Sequence, residues 1–180
     1  MQNFALNARN KKIKRSSNSV IITAYALIAT ILFLDQVSKY LVIKYIGLNA
    51  NFVIINKAFF ITPILNTGGG FGILPGETPI FILASFLTII CIVFVLLKRN
   101  NRELIFLYSV SMILAGALGN LIDRLRFGAV VDFLDFRIWP VFNIADSAIT
   151  IGAVFLIWHL LKSPRRLKPA CRQAGIKVKG

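Results

Sequence analysis

The acidic side chains of this 180-residue chain are Asp35, Glu77, Glu103, Asp123, Asp132, Asp135 and Asp146. Two carboxylates held close together can hydrolyse a peptide bond with neither a metal nor a covalent intermediate. One, ionised, takes a proton from water. The other, protonated, donates a hydrogen bond to the scissile carbonyl. Like charges in contact cannot both ionise, so such a pair shares a proton and titrates as a unit. Other chemistries find fewer parts. The single histidine, His159, lies at the far end of the hydrophobic run that contains Asp146. Cys91 is inside another hydrophobic run and Cys171 is in a basic tail, so neither a zinc site nor a disulfide is expected. A serine or cysteine triad would lack a histidine base beside the acids. No metal and no cofactor is expected.

Something must hold those carboxylates, and the composition says what kind of scaffold. Hydrophobic residues make up 57% of the chain and charged ones 16%, with a net charge of +14. That excludes a disordered chain, which needs low hydrophobicity, and a soluble nucleic-acid binder would not be this apolar. Four runs are long enough to span a bilayer as helix, which takes about 20 residues. They cover about 20–46 (through Asp35 and Lys39), 79–97, 104–122 and 142–161. Backbone groups in lipid must be paired internally, so the runs are expected to be helices. Pro63, Pro75, Pro140, Pro164 and Pro169 fall outside them, and Pro79 stands at a helix start. The first run lacks a clear small-x-small cleavage site before Asp35, and its helical pattern continues past the acid, so it is read as an uncleaved span. The fold class is thus an all-α membrane protein: a four-helix bundle at 20–161, a basic N-terminal segment at 1–19 and a basic tail at 162–180.

Orientation follows the distribution of Lys and Arg. The N-terminal segment (Arg9, Lys11, Lys12, Lys14, Arg15), the loop between spans two and three (Lys98, Arg99, Arg102) and the tail (Lys162, Arg165, Arg166, Lys168, Arg172, Lys177, Lys179) hold 15 of 21 basic residues. Both termini are therefore expected in the cytoplasm, and the charge is a topology signal rather than a nucleic-acid footprint. All five aspartates then fall at or near the outer face. Ionisable residues in membrane segments are costly and point to function.

Two outer segments carry further signals. Phe52-Val53-Ile54-Ile55 and Phe59-Phe60-Ile61, ended by Pro63, read as short strands of a small extracytoplasmic sheet. In a strand over Gly128–Phe136, Asp132 shares a face with Val130, Leu134 and Phe136, while Asp135 points the other way. The segment Asn66-Thr67-Gly68-Gly69-Gly70-Phe71-Gly72 is rich in glycine but lacks the Gly-Lys-Ser of a phosphate loop. It is either a plain turn or a backbone that approaches substrate and moves over it. Asp35 and Lys39 are four apart and can pair on one helix face. Asn143 can cap span four with Asp146 at its third position. Ala115 and Gly119 form a small-xxx-small pair that would let span three pack closely.

Taken together, Asp35-Gln36-Val37-Ser38-Lys39, the Asn66–Gly72 segment, Gly116-Ala117-Leu118-Gly119-Asn120-Leu121-Ile122-Asp123-Arg124, Gly128-Ala129-Val130-Val131-Asp132-Phe133 and Phe142-Asn143-Ile144-Ala145-Asp146 have a familiar order. The chain resembles the lipoprotein signal peptidase (signal peptidase II) family of bacterial membrane aspartyl peptidases across roughly 20–161. Gly69-Gly70 departs from the family, which more often has another residue and then Ala before Phe-Gly. The resemblance implies that Asp132 and Asp146 are the catalytic pair. It implies supporting or substrate-binding roles for Asp35, Lys39, Asn66, Gly116, Asn120, Asp123, Arg124, Asn143 and Ala145. It also implies a substrate: a prolipoprotein whose cysteine already carries diacylglycerol, cleaved just before that cysteine within the bacterial inner membrane. The expected partners are that substrate and membrane lipid, with no nucleic acid, and the enzyme is expected to act as a monomer. The competing class is a small proton-coupled transporter or channel subunit, for which acids would be spread through the membrane depth.

Overall fold

The computed structural model describes residues 2–69, 74–98 and 103–162, with side chains from residue 19 onward. Among these, four helices are long and apolar enough to cross a membrane. They are α1 (Gln2–Tyr45, of which Ser19–Tyr45 is the apolar stretch), α2 (Thr78–Lys98), α3 (Leu104–Phe127) and α4 (Ile144–Lys162). Three strands, β1 (Phe52–Ile55), β2 (Phe59–Asn66) and β3 (Val130–Asp135), form an antiparallel sheet in the order β1-β2-β3.

The bundle is organised around α3. Half of its residues, 12 of 24, are buried, and many are small: Ser109, Ser111, Ala115, Gly116, Ala117 and Gly119. Small side chains let helix backbones approach closely where there is no water to drive association. Close approaches fall at Gly116, Gly119 and Gly152. A Cβ on Gly116 would collide with the carbonyl of Ala145, which brings α4 against α3. A Cβ on Gly119 would sit 2.6 Å from Asp35 Oδ2, so this glycine admits α1. On the α4 side, a Cβ on Gly152 would meet the Ser109 carbonyl at 2.7 Å. By contrast α2 packs mainly on α3 and buries none of its apolar stretch, as expected of a helix that is hydrophobic all round and faces lipid.

Three elements run further than the sequence suggests, the first being α1, whose helix begins at Gln2 within the basic segment rather than near residue 20. The third span was expected to end at Ile122, but α3 continues to Phe127. Asp123 and Arg124 end the apolar run without ending the helix, because a charged side chain paired in the interior costs the backbone nothing. The stop is Gly128, in the left-handed region at φ 69°, whose N–H bonds the Arg124 carbonyl. Likewise β2 does not end at Pro63 but runs to Asn66. The register of β2 against β3 shifts between Ile61 and Ile64, so the proline occupies an irregularity where no ladder N–H is needed. Its carbonyl accepts the Asn49 N–H at 2.8 Å. Beyond the shift, Ile64 pairs with Asp132 and Asn66 with Val130. The other edge of β3 is closed by Phe142, which exchanges backbone hydrogen bonds with Leu134 just before α4 begins.

Candidate active site

Asp132 and Asp146 reach the same place from different elements. Asp132 is buried on β3, on the strand face that also carries Val130. Asn66, diagonal to it across the β2–β3 register, donates from Nδ2 to Asp132 Oδ2 at 2.9 Å. Asp146 is in the first turn of α4. Its N–H donates to Asn143 Oδ1 at 2.8 Å, and the Asn143 N–H donates back to Asp146 Oδ2 at 3.4 Å. This is a capping box, in which the cap and the third residue satisfy each other. The capping side chain also reaches across to the other aspartate, where Asn143 Nδ2 donates to Asp132 Oδ1 at 2.7 Å. Capping α4 and orienting Asp132 therefore fall to the same residue. Asn120 Nδ2 on α3 donates to Asp146 Oδ1 at 2.8 Å.

Both aspartates line one cavity of about 200 Å³, together with Asn66, Asn120, Arg124 and the Trp139–Phe142 segment. Burial, and after it the charge of Asp146, pushes the Asp132 carboxyl up from 3.8 to about 7, against the opposing hydrogen bonds from Asn66 and Asn143. Arg124 donates to the Gly68 carbonyl at 3.3 Å and stacks over Phe81, 5.2 Å from the ring centre. Its Nε is buried with no partner among the described residues. Asp135 lies outside the cavity: it takes hydrogen bonds from Thr62 Oγ1 and the Arg137 N–H, on the face opposite Asp132. His159, near the other end of α4 from Asp146, pairs with Glu103 at 2.9 Å.

The remaining residues singled out from sequence sit one layer behind. Asp35, Lys39 and Asp123 form a buried ion cluster, with Lys39 Nζ 2.8 Å from each carboxylate. The expected Asp35–Lys39 pair is thus half of a triad. Gly116 and Ala145 meet at the α3–α4 contact. Sequence reasoning passed over several cavity residues. Ile149 and Thr150 lie three and four positions after Asp146, a spacing that puts them on its helix face. Trp139, more than half exposed, is the kind of aromatic found at membrane interfaces. Of the glycine segment, Gly68 and Gly69 are seen, and Gly68 N–H donates to Asn66 Oδ1 at 3.0 Å; the expected motion of 68–72 over the site falls mostly on residues 70–72, which lie outside the described residues.

Comparison with known proteins places the chain in a family. The family described as "Signal peptidase (SPase) II" matches residues 27–162. The lipoprotein signal peptidase of Halothermothrix orenii is 44% identical over 136 residues, covering 76% of this chain and 93% of its own length. That of Staphylococcus carnosus is 37% identical over 153 residues, covering 83% and 96%. Two solved bacterial membrane enzymes superpose with TM-scores of 0.77 and 0.73, at 35% and 36% identity. The first alignment covers 83% of this chain and 93% of the other, the second 79% and 95%. A transporter has no such support, and Asp132 and Asp146 line one cavity. With its helices, sheet and most of its length matched, this chain belongs to the signal peptidase II family of membrane aspartic peptidases.

Proposed function

We propose that the chain removes signal peptides from prolipoproteins whose cysteine carries diacylglycerol, with Asp132 and Asp146 as the catalytic dyad. The observation that carries this is one cavity lined by both carboxylates, each oriented by asparagine donors, beside an apolar wall. Asp132 holds the shared proton and donates it toward the scissile carbonyl oxygen. Asp146, ionised, takes a proton from the water that attacks the carbonyl carbon. Arg124, with an unpartnered donor at the same cavity, offers a hydrogen bond to the substrate backbone. The bond to the cysteine nitrogen then breaks as Asp146 gives that nitrogen the proton it took from water, and the re-forming carbonyl returns its proton to Asp132. Val141, Phe142 and Ile149 suit a lipid chain or an apolar signal helix entering from the bilayer.

The excess of basic residues in the N-terminal segment, the 98–102 loop and the tail supports cytoplasmic termini, with the cavity toward the outer face of the inner membrane. A monomer suffices, because each proposed catalytic group comes from this one chain. The test is cleavage of a purified prolipoprotein with and without diacylglycerol on its cysteine. Only the lipidated form should be cut, immediately before the cysteine. Equal cleavage of both forms would remove lipid from the recognition, and activity in both Asp132→Asn and Asp146→Asn would remove the dyad.

A further inference from the structure

The buried ion cluster behind the dyad does more than neutralise itself. Asp35 Oδ1 accepts the N–H of Ala145, the residue immediately before Asp146, at 2.9 Å. Asp123 Oδ2 accepts the N–H of Val131, the residue immediately before Asp132, at 3.2 Å. Each structural carboxylate therefore grips the backbone beside one catalytic carboxylate. The two grips are tied together twice. Lys39 Nζ sits 2.8 Å from both Asp35 Oδ2 and Asp123 Oδ2. Gln36 Nε2 lies 3.1 Å from Asp35 Oδ2, 3.0 Å from Asp123 Oδ1 and 3.3 Å from the Gly119 carbonyl. Gly119 lacks the Cβ that would push Asp35 away.

We infer that Gln36 is a positioning residue for peptide hydrolysis: with Lys39 it sets the spacing of Asp35 and Asp123, and through their backbone grips the spacing of Asp146 and Asp132. Lys39 supplies charge but only one end of a flexible stem. Gln36 supplies a planar amide whose two N–H groups point in fixed directions, so it fixes distance rather than charge. The inference rests on the reading of Asp132 and Asp146 as the dyad. A helix turn relates Gln36 to Lys39, three positions apart, so both reach the same pair of carboxylates from α1.

The test uses full-length enzyme and lipidated prolipoprotein. Gln36→Ala should lower kcat by roughly tenfold to a hundredfold, the scale of a small misplacement of reacting groups, while KM changes little. Gln36→Glu keeps the shape but presents a carboxyl to Asp35 and Lys39 on α1 and Asp123 on α3. Only its protonated form can donate to those carboxylates, so its kcat relative to wild type should rise as pH falls. The ratio for Gln36→Ala should stay flat with pH. A wild-type kcat in Gln36→Ala, or a pH-independent ratio in Gln36→Glu, would overturn the positioning role. Asp132→Asn, run alongside, separates the two readings: if it is inactive while Gln36→Ala is unaffected, the clamp fails and the dyad stands; if it is active, the dyad itself fails.

Discussion

Asn143 Nδ2 lies 2.7 Å from Asp132 Oδ1, while the Oδ1 of the same asparagine accepts the N–H of Asp146. One side-chain amide thus caps α4 and orients the Asp132 carboxylate, while the backbone N–H of the same residue reaches Asp146 Oδ2. Substitution can separate these two roles. Asn143→Ser keeps a capping oxygen but is too short to reach Asp132. Asn143→Ala loses both functions, and the cap alone is worth about 1 kcal/mol. Melting in detergent should therefore place Asn143→Ser between wild type and Asn143→Ala, because both lose the buried Nδ2 donor that also serves Asn120 Oδ1 and the Val131 carbonyl, with both variants deeply impaired in turnover.

Asp132→Asn and Asp146→Asn should each abolish cleavage while leaving insertion and binding of lipidated substrate intact. Asparagine preserves shape but can neither hold nor release the proton. General acid–base assistance is worth roughly 10² to 10⁴ in rate, and loss of the water-activating pair belongs at the upper end. Asp135→Asn should be far milder, because Asp135 faces Thr62 and Arg137, away from the cavity. Cleavage rates of the three purified variants at saturating substrate decide this ordering.

The pH profile should follow Asp132. Its carboxyl is raised from 3.8 to about 7, first by burial and then by the charge of Asp146. As the proposed proton donor, it is competent below that value, so kcat/KM should fall as pH rises through about 7. Stability has the same sign. The folded protein holds this proton more tightly than the unfolded chain, so the contribution is fully present below 3.8 and is lost as pH rises through about 7. Asp132→Asn cannot titrate there. Its melting temperature should change less than that of wild type between pH 5 and 8, and the reverse result would mean that Asp132 is ionised throughout.

Lys39→Met should be severely destabilising. It leaves Asp35 and Asp123, both buried, facing each other without their shared cation. Removing one partner of a buried ion pair costs about 3–5 kcal/mol. Loss of folded protein on size-exclusion in detergent is the expected outcome. The triple variant Lys39→Met, Asp35→Asn, Asp123→Asn should recover part of the fold without recovering activity, because the charges are gone but the backbone grips are weakened.

Gly119→Ala tests the approach of α1 to α3. The added methyl would stand 2.6 Å from Asp35 Oδ2, so either the helices separate or the carboxylate turns away from the Ala145 N–H. Turnover should drop, and Gly116→Ala, which meets the rigid Ala145 carbonyl instead of a side chain, should be worse in both stability and rate. Measured Tm and kcat for the two variants give the ranking.

The four spans and the gathering of acids near one end were legible from sequence, because lipid demands long apolar runs and tolerates charge in few places. The first two strands were legible too, from Phe52–Ile55 and Phe59–Ile61. Local spacing also revealed the Asp35–Lys39 pair and the Asn143 cap, since both depend only on neighbours along one helix. Pro63 and Asp123 misled the boundaries of β2 and α3 because local rules treat a proline and a charge as stops. A register shift accommodates the first, and Lys39 neutralises the second. What only the tertiary structure decided is which residues meet across elements. Gln36 stood in plain sight beside Asp35, yet nothing along α1 says that Asp123, 87 residues later, completes its hydrogen bonds. The sheet register that sets Asn66 against Asp132 is likewise non-local. Hydropathy and capping act within a few residues of chain, whereas the spacing of two carboxylates is set by packing: glycines that let α1 and α4 close on α3, and buried donors that must find acceptors once water is excluded.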